Sequence, residues 1–393
     1  MMLTWPRTAS FDPRVQPITV AVLAFLVLAA ASHLTPSVQY NDVLQANAWL
    51  HGHIPIDRPG GWIDAIPWRG GWYVIEAPFP SLLMVPLVLV FGPHANQTLL
   101  SAILGSVAIG AGWTLCARLG TSLVARIALV AFLALGTDLF WCAALGDVWF
   151  VAHVSAVCFT LLAFVELTGK RRGWVVALFA AAAGLSRYPL LPAILVYPFL
   201  LNVRRRPSAL LGYAAALVPV FAVWVWYNEV RWGAPIDIGY ALFYAQNWLR
   251  TRPGSPPSMA SLQNVVPQLW NLFVYPPVYS RTWPWVAPDT FGLALTYTSP
   301  ALVCALFARR PPGLVLACWI LALGTAVPTL LYYDGGGVQF GMRHALDFEP
   351  FLFVLMVLGV GKRLSWWAGA LIAWSVAVGS WGLWYWLTFS PGK

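Results

Sequence analysis

The sequence predicts an all-α polytopic membrane protein of about eleven transmembrane helices, with a first outer loop built from short juxtamembrane helices. Three observations carry this. The 393 residues are 60% apolar and only 9% charged, with a mean hydropathy of +0.70, whereas soluble domains are about 45–50% apolar and about 25% charged. The apolar stretches are long and continuous, which excludes an alternating outer-membrane barrel. The basic residues cluster in alternate connections between those stretches. Soluble, fibrous and disordered classes are therefore excluded.

A spanning helix needs about 20 predominantly apolar residues. The expected spans are 18–34, 96–117, 121–142, 148–168, 173–188, 189–203, 208–230, 291–307, 313–333, 350–361 and 364–388. Together they make residues 1–393 a single integral membrane domain. A cleavage-like Ala29-Ala30-Ala31 ends the first span, but the long polar lead favours an uncleaved signal anchor. Arg7 and Arg14, Arg118 and Arg126, Lys170-Arg171-Arg172, Arg204-Arg205-Arg206, Arg309-Arg310 and Lys362-Arg363 then share one face. By the positive-inside rule that face is cytoplasmic. The net charge of +9 is thus explained by topology, and nucleic acid is not expected as a partner.

The opposite face receives the three long connections, 35–95, 231–290 and 334–349. It also receives most of the acids: Asp42, Asp57, Asp64, Glu76, Asp138, Asp147, Glu229, Asp237, Asp289, Asp334, Asp347 and Glu349. Acids contribute little to orientation, so their clustering marks the outer face as the place for chemistry. Ser81 to Phe91 is apolar but too short to cross, and Pro78, Pro80 and Pro86 suit a broken helix along the outer interface.

The five cysteines, Cys116, Cys142, Cys158, Cys304 and Cys318, lie in or beside apolar spans without a C-x-x-C. They read as small core hydrophobes. His51-x-His53 has strand spacing and no evident third ligand, so no metal site is assigned. Asp334-Gly335-Gly336-Gly337 is not followed by Lys-Ser/Thr, so it is not a P-loop.

Candidate functional residues follow from position. Asp42 stands at the outer end of the first span, where a lipid headgroup can reach it; the competing reading is a solvated loop acid. Asp147 lies in the tight connection before the fourth span, as either a helix N-cap or a functional acid. His153, one turn further, is either a substrate contact or a satisfied bundle histidine. Arg187 and Arg343 break the positive-inside bias. Each needs a carboxylate or phosphate partner unless it snorkels to headgroups. Trp62, Trp68 and Trp72 interleave with polar loop residues, as either sugar-stacking rings or interfacial anchors.

Tyr40-Asn41-Asp42 after the first span resembles the loop acid of the GT-C membrane glycosyltransferases. The resemblance continues through Asp64, Gly70-Gly71-Trp72-Tyr73, Pro78-Phe79-Pro80-Ser81-Leu82-Leu83, Pro86 and Phe91-Gly92. It extends to Tyr227-Asn228, Arg231-Trp232-Gly233-Ala234-Pro235 with Gly239-Tyr240, and Thr298-Ser299-Pro300-Ala301-Leu302. It closes with Gly336-Gly337-Val338-Gln339-Phe340-Gly341-Met342-Arg343-His344 and Pro350. The subgroup it is similar to is the protein O-mannosyltransferase and lipid A aminoarabinose transferase type. Many relatives carry Asp-Glu where this chain has Asn41-Asp42, and no soluble domain follows the last span, so the loops are expected to recognise the acceptor.

The resemblance implies a polyprenyl-phosphate-linked sugar as donor and a glycan, lipid or protein hydroxyl as acceptor. Transfer would occur on the periplasmic or extracellular side of a bacterial inner membrane. Asp42 matches the proposed base and Asp147 the second loop acid. Arg187, Arg343 and His344 become candidates for the donor phosphate. Asp64, Trp72, Tyr73, His153 and Tyr240 become candidates for substrate contact. No cofactor is assigned, although a divalent cation is compatible with this chemistry. Polyprenyl phosphate is a good leaving group, so the reaction needs cations on the phosphate and one base at the acceptor, with inversion at the anomeric carbon. The rival classes are a transporter or flippase and a non-catalytic lipid-binding protein. Transporters place ionisable groups near mid-bilayer, where the spans here carry almost none.

Overall fold

The computed structural model describes residues 17–59, 64–201, 207–246, 255–256 and 258–389. Arg7, Arg14, Trp62 and Arg204-Arg205-Arg206 lie outside the described residues, so the parts of the charge map and of the tryptophan reading that rest on them are not followed further.

The chain is mostly helical, and its first half forms a closely packed group. This comprises α1 (Pro17–Ser32), α2 (Asn41–Leu50), α3 (Phe79–Phe91), α4 (Gln97–Arg118), α5 (Leu123–Leu135), α6 (Leu139–Leu145), α7 (Val148–Thr168) and α8 (Gly173–Ser186). The second half adds α9 (Tyr197–Leu200), α10 (Pro207–Trp232), α11 (Tyr240–Gln246), α12 (Val265–Phe273) and α13 (Leu295–Thr298). It ends with α14 (Pro312–Leu331), α15 (Glu349–Val360) and α16 (Trp366–Phe389). Among the described residues, five helices are long and apolar enough to cross a membrane: α4, α7, α10, α14 and α16. The pair α5 and α6 makes a sixth candidate, bent by 49°. Helices α1, α3, α8 and α15 are apolar but shorter. The chain is an integral membrane protein, and the sequence-derived number of eleven spans is not reproduced by helix length alone.

The departures have local causes. Residues 189–203 were expected to be one span, but they form a 3-10 helix over Tyr188–Leu195 followed by the single turn α9. Pro189, Pro192 and Pro198 each remove a backbone donor and crowd the preceding turn. Likewise 291–307 resolves into α13 and a 3-10 helix over Pro300–Phe307. The 121–142 span bends at Gly136-Thr137-Asp138. There the Thr137 hydroxyl donates to Leu133 O at 2.9 Å and accepts from the Leu139 amide at 3.2 Å. A side chain thus replaces part of the helical ladder.

The connection between α1 and α4 holds the expected short helices, α2 and α3. Helix α3 has 13 residues, which at about 1.5 Å per residue falls short of the ~30 Å hydrocarbon core. The loop also contains a hairpin that an all-α reading omits: β1 (Ala65–Trp68) and β2 (Gly71–Val74), paired antiparallel with Trp68 opposite Gly71. Arg69 and Gly70 have φ of 46° and 80°, the left-handed values that a two-residue hairpin turn requires. A second small hairpin, β3 (Val278–Tyr279) with β4 (Val286–Ala287), lies between α12 and α13.

Helix crossings use small residues where backbones approach. An added Cβ on Gly105 would lie 2.7 Å from Ala143 Cβ, and one on Gly359 would lie 2.1 Å from the Cys304 carbonyl oxygen. Replacing Gly359 with Val should therefore lower the melting temperature of the purified protein, by an overpacking penalty of at least about 1–3 kcal/mol. Gly324→Ala, with nothing within 4 Å of the new Cβ, should leave it unchanged; scanning fluorimetry in detergent checks both.

Candidate active site

One end of the helix bundle encloses a cavity of about 1140 Å³. Its lining carries the acids Asp64, Glu76, Asp147 and Asp334 and the basic residues Arg187, Arg343 and His344. Aromatic rings of Trp149, Tyr188, Tyr240, Tyr332, Tyr333 and Trp386 line the rest. Acids and arginines that lie far apart in sequence thus converge at one end of the bundle.

On the basic side, Arg187 stands where α8 ends, at the turn that Pro189 imposes. It is held in a two-pronged ion pair with Asp347, Nε to Oδ1 at 3.0 Å and Nη2 to Oδ2 at 2.9 Å. His153 from α7 closes the other side of Asp347 at 3.1 Å. Burial alone would raise the Asp347 pKa, but Arg187 and His153 outweigh it and hold the carboxyl below its ordinary range. The partner that Arg187 required is therefore a carboxylate, and snorkelling is excluded.

Arg187 Nη2 also lies 3.2 Å from His344 Nδ1. A guanidinium can only donate, so Nδ1 accepts and the proton resides on Nε2. Burial, with Arg343 and Arg187 nearby, pushes the His344 pKa well below its ordinary value, so the ring is neutral. Its Nε2 is buried with no partner, and so is the Nε of Arg343. The other contacts of Arg343 are neutral: Gly337 O at 3.0 Å and Gln339 Oε1 at 2.9 Å from Nη1. Arg343 has no ion pair among the described residues. Two buried donors, one cationic, thus lack an acceptor on the same side of the cavity.

On the acidic side, Asp64 accepts a hydrogen bond from Trp149 Nε1 at 2.5 Å. Burial pushes its pKa up to about 6, against the lowering effects of the indole donor and of Arg343. Glu76 is pushed well above the usual carboxylate range by burial and by the charges of Asp64 and Asp42; Asn41 Nδ2 approaches it at 3.4 Å. Asp147 occupies the N-cap position of α7 but makes no capping bond with its side chain. Its Oδ1 instead accepts from the Ser37 hydroxyl at 2.5 Å. The indole of Trp149 that holds Asp64 also lies 5.5 Å from the Arg343 guanidinium, measured to the ring centre. One rigid side chain therefore sets the spacing between the acid and the unpaired cation.

Of the residues expected at the site, Asp64, Asp147, Arg187, Arg343, His344 and Tyr240 line the cavity. Asp42, expected as the base, does not. It is buried beneath the wall on α2, where Ser81 donates to it at 2.7 Å and its amide donates to Gln97 Oε1 at 3.2 Å. Burial raises its pKa to about 7, partly offset by Ser81. Trp72 and Tyr73 lie in β2 outside the walls, Tyr73 packed against Trp232 at 5.7 Å. His153 is also off the walls and acts through Asp347. Trp149, Tyr332, Tyr333 and Asp334 line the cavity without having been singled out. Trp149 follows Asp147 by two positions, and Tyr332 to Asp334 immediately precede the glycine run. Among the described residues, no group of three or more His, Cys, Asp or Glu side chains is placed to hold a metal ion.

The architecture matches ArnT from Cupriavidus metallidurans. In the apo state the likeness has a TM-score of 0.56 at 16% identity, over 96% of this chain and 65% of that one. The form bound to undecaprenyl phosphate gives 0.52 at 16% identity, over 88% and 60%. The fold is that of the GT-C glycosyltransferases. The oligosaccharyltransferase AglB from Archaeoglobus fulgidus, in complex with an inhibitory peptide and a dolichol-phosphate, is more distant, at 0.45 and 15% over 93% of this chain and 55% of that one. This chain spans 60–65% of the length of the two ArnT structures. No family model and no curated protein matches the sequence.

Removing Asp347 would leave Arg187 buried without a counter-charge. Asp347→Asn should therefore destabilise the protein by about 3 kcal/mol or more. Glu166→Gln, which breaks the more exposed pair with Arg172 at 3.0 Å, should have a smaller effect. Denaturant unfolding of the two variants in detergent compares them.

Proposed function

We propose that this protein is a glycosyltransferase that moves a sugar from a polyprenyl-phosphate donor to a hydroxyl acceptor at the outer face of the membrane. The single observation that carries the reading is the pair of unpartnered buried donors, Arg343 Nε and His344 Nε2, in the cavity that Asp64 also lines. The donors fit the oxygens of one phosphate, and the carboxylate fits the role of base. The shared fold with ArnT, one of whose structures holds undecaprenyl phosphate, supports the same chemistry.

Asp64 takes the base role. Asp42, the residue favoured from the sequence, ties α2 to α3 through its bond from Ser81. With the donor seated, the acceptor hydroxyl attacks the anomeric carbon and passes its proton to Asp64. The bond from that carbon to the phosphate oxygen breaks, and the phosphate leaves with the electron pair. Arg343 and the His344 Nε2–H stabilise the charge that accumulates there. One displacement from the face opposite the leaving group inverts the anomeric centre. Asp147 orients the acceptor or the sugar through its fixed bond to Ser37. The acidic wall and the aromatic rings around it suit a polyhydroxylated ring, whose hydroxyls donate to carboxylates and whose apolar face lies on an aromatic surface. The donor would enter from a bacterial inner membrane, with the cavity on the periplasmic side.

Turnover with a panel of radiolabelled polyprenyl-phosphate sugars is the first test. Asp64→Asn should lower it by about 10²–10⁴-fold, as loss of a general base does, with donor binding retained. Asp42→Asn should lower it less. Full activity of Asp64→Asn would remove the base assignment, and wild-type binding without turnover would favour the lipid-binding alternative.

The pH profile gives a second test. A base whose pKa is raised to about 6 is ionised above that pH and neutral below it. Activity should therefore fall as pH drops through about 6. Trp149→Phe removes the indole donor that stabilises the carboxylate, so the midpoint should move upward. An unchanged midpoint would show that Asp64 is not the titrating group.

A further inference from the structure

The large outer loop contains a helix whose polarity is inside out. Residues 255–280 carry no charged side chain and no histidine. Within them, α12 turns its amides inward. Asn264 Nδ2 donates to Leu331 O at 2.8 Å, and Gln268 Nε2 donates to Tyr332 O at 2.9 Å. The Ser261 amide adds a bond to Leu331 O at 2.9 Å. The carbonyls that α14 leaves open at its outer end are thus capped by a neighbouring segment. The opposite face of α12 presents Val266, Trp270 and Phe273, which are 75%, 53% and 50% exposed. Their spacing puts them on one side of the helix. A water-facing helix would show the reverse arrangement.

We propose that α12 and the following β3–β4 hairpin lie in the outer leaflet of the bilayer, as an interfacial clamp beside the cavity mouth. The occupant of the apolar face is lipid, because that face continues surfaces that already meet lipid. Leu316, Ile320, Leu323 and Val327 form an exposed stripe along the spanning helix α14, and α12 packs at its outer end. On the other side, Trp283 of the hairpin turn stacks edge-on against Trp384 near the outer end of the spanning helix α16, at 6.3 Å. Trp283, Trp285 and Trp384 are all exposed, and tryptophans at that level form interfacial belts. The segment therefore touches two spans at headgroup depth. Met259, Ala260, Phe291, Tyr332 and Tyr333, which border or pair with this segment, line the cavity. Seating the clamp in the leaflet places the mouth of the cavity at the depth of a lipid headgroup. This inference concerns membrane seating and stands whether or not the cavity transfers a sugar.

The test uses full-length protein in phosphatidylcholine nanodiscs, with an environment-sensitive dye on Val266→Cys or Phe273→Cys. The native cysteines are all buried, and Asp57→Cys, on an exposed turn of the first outer loop, serves as the water-facing control. The dye at both clamp positions should resist iodide, emit to the blue of the control, and be quenched by lipids carrying a nitroxide near the top of the acyl chain. Iodide quenching equal to that at position 57 would overturn the proposal. Protection found only in discs that hold two copies would also overturn it, by assigning the face to a second protein chain.

Discussion

The site depends on how one buried carboxylate, Asp347, is shared. It sits between Arg187 and His153 and accepts from both. A buried arginine without a counter-charge is strongly disfavoured, so this pairing is what permits Arg187 at the end of α8. Arg187 in turn donates to His344 and thereby fixes its tautomer. The consequence reaches the cavity: Arg187 is neutralised, while Arg343 and the Nε2 of His344 remain available. Two arginines of similar appearance in the sequence thus differ in the structure: Arg187 is paired with a buried carboxylate, and Arg343 has no ion pair among the described residues.

The acids form a graded set for an analogous reason. Asp347 is ionised because Arg187 pairs with it and His153 hydrogen-bonds to it. Asp64 has one donor and a distant cation, and it falls near 6. Asp42, with Ser81 as its donor, is raised to about 7, and Glu76, beside other acids, is pushed well above its ordinary range. Burial acts on all four alike; the hydrogen-bonding and charged neighbours separate them. Trp149 links this gradient to Arg343, because the same indole donates to Asp64 and lies against the guanidinium.

Much of this was readable from the chain. The membrane class and the GT-C resemblance follow from composition, charge placement and ordered short motifs. Helix continuity was harder to read, because apolar length does not reveal that Pro189, Pro192 and Pro198 break one expected span, or that Gly136 and Thr137 bend another. The seats of the two loop acids were hard to read for a related reason. Asp42 and Asp64 stand in the same loop, and only the hairpin β1–β2 and the seat of α2 decide which carboxylate reaches the cavity. Arg187 was legible as needing an anion, but a sequence does not show that Asp347, 160 residues away, supplies it. The outward apolar face of α12 has a helical period in the sequence, yet its orientation depends on the amides that bond to the end of α14.

The central claim is that Arg343 holds the phosphate of a polyprenyl-linked donor. The most direct measurement is the affinity of wild type and Arg343→Gln for a polyprenyl monophosphate in nanodiscs. A charge-assisted hydrogen bond contributes about 1.5–3 kcal/mol, so the account predicts a loss of roughly 10–100-fold at constant stability. Equal affinity in the two proteins would contradict it.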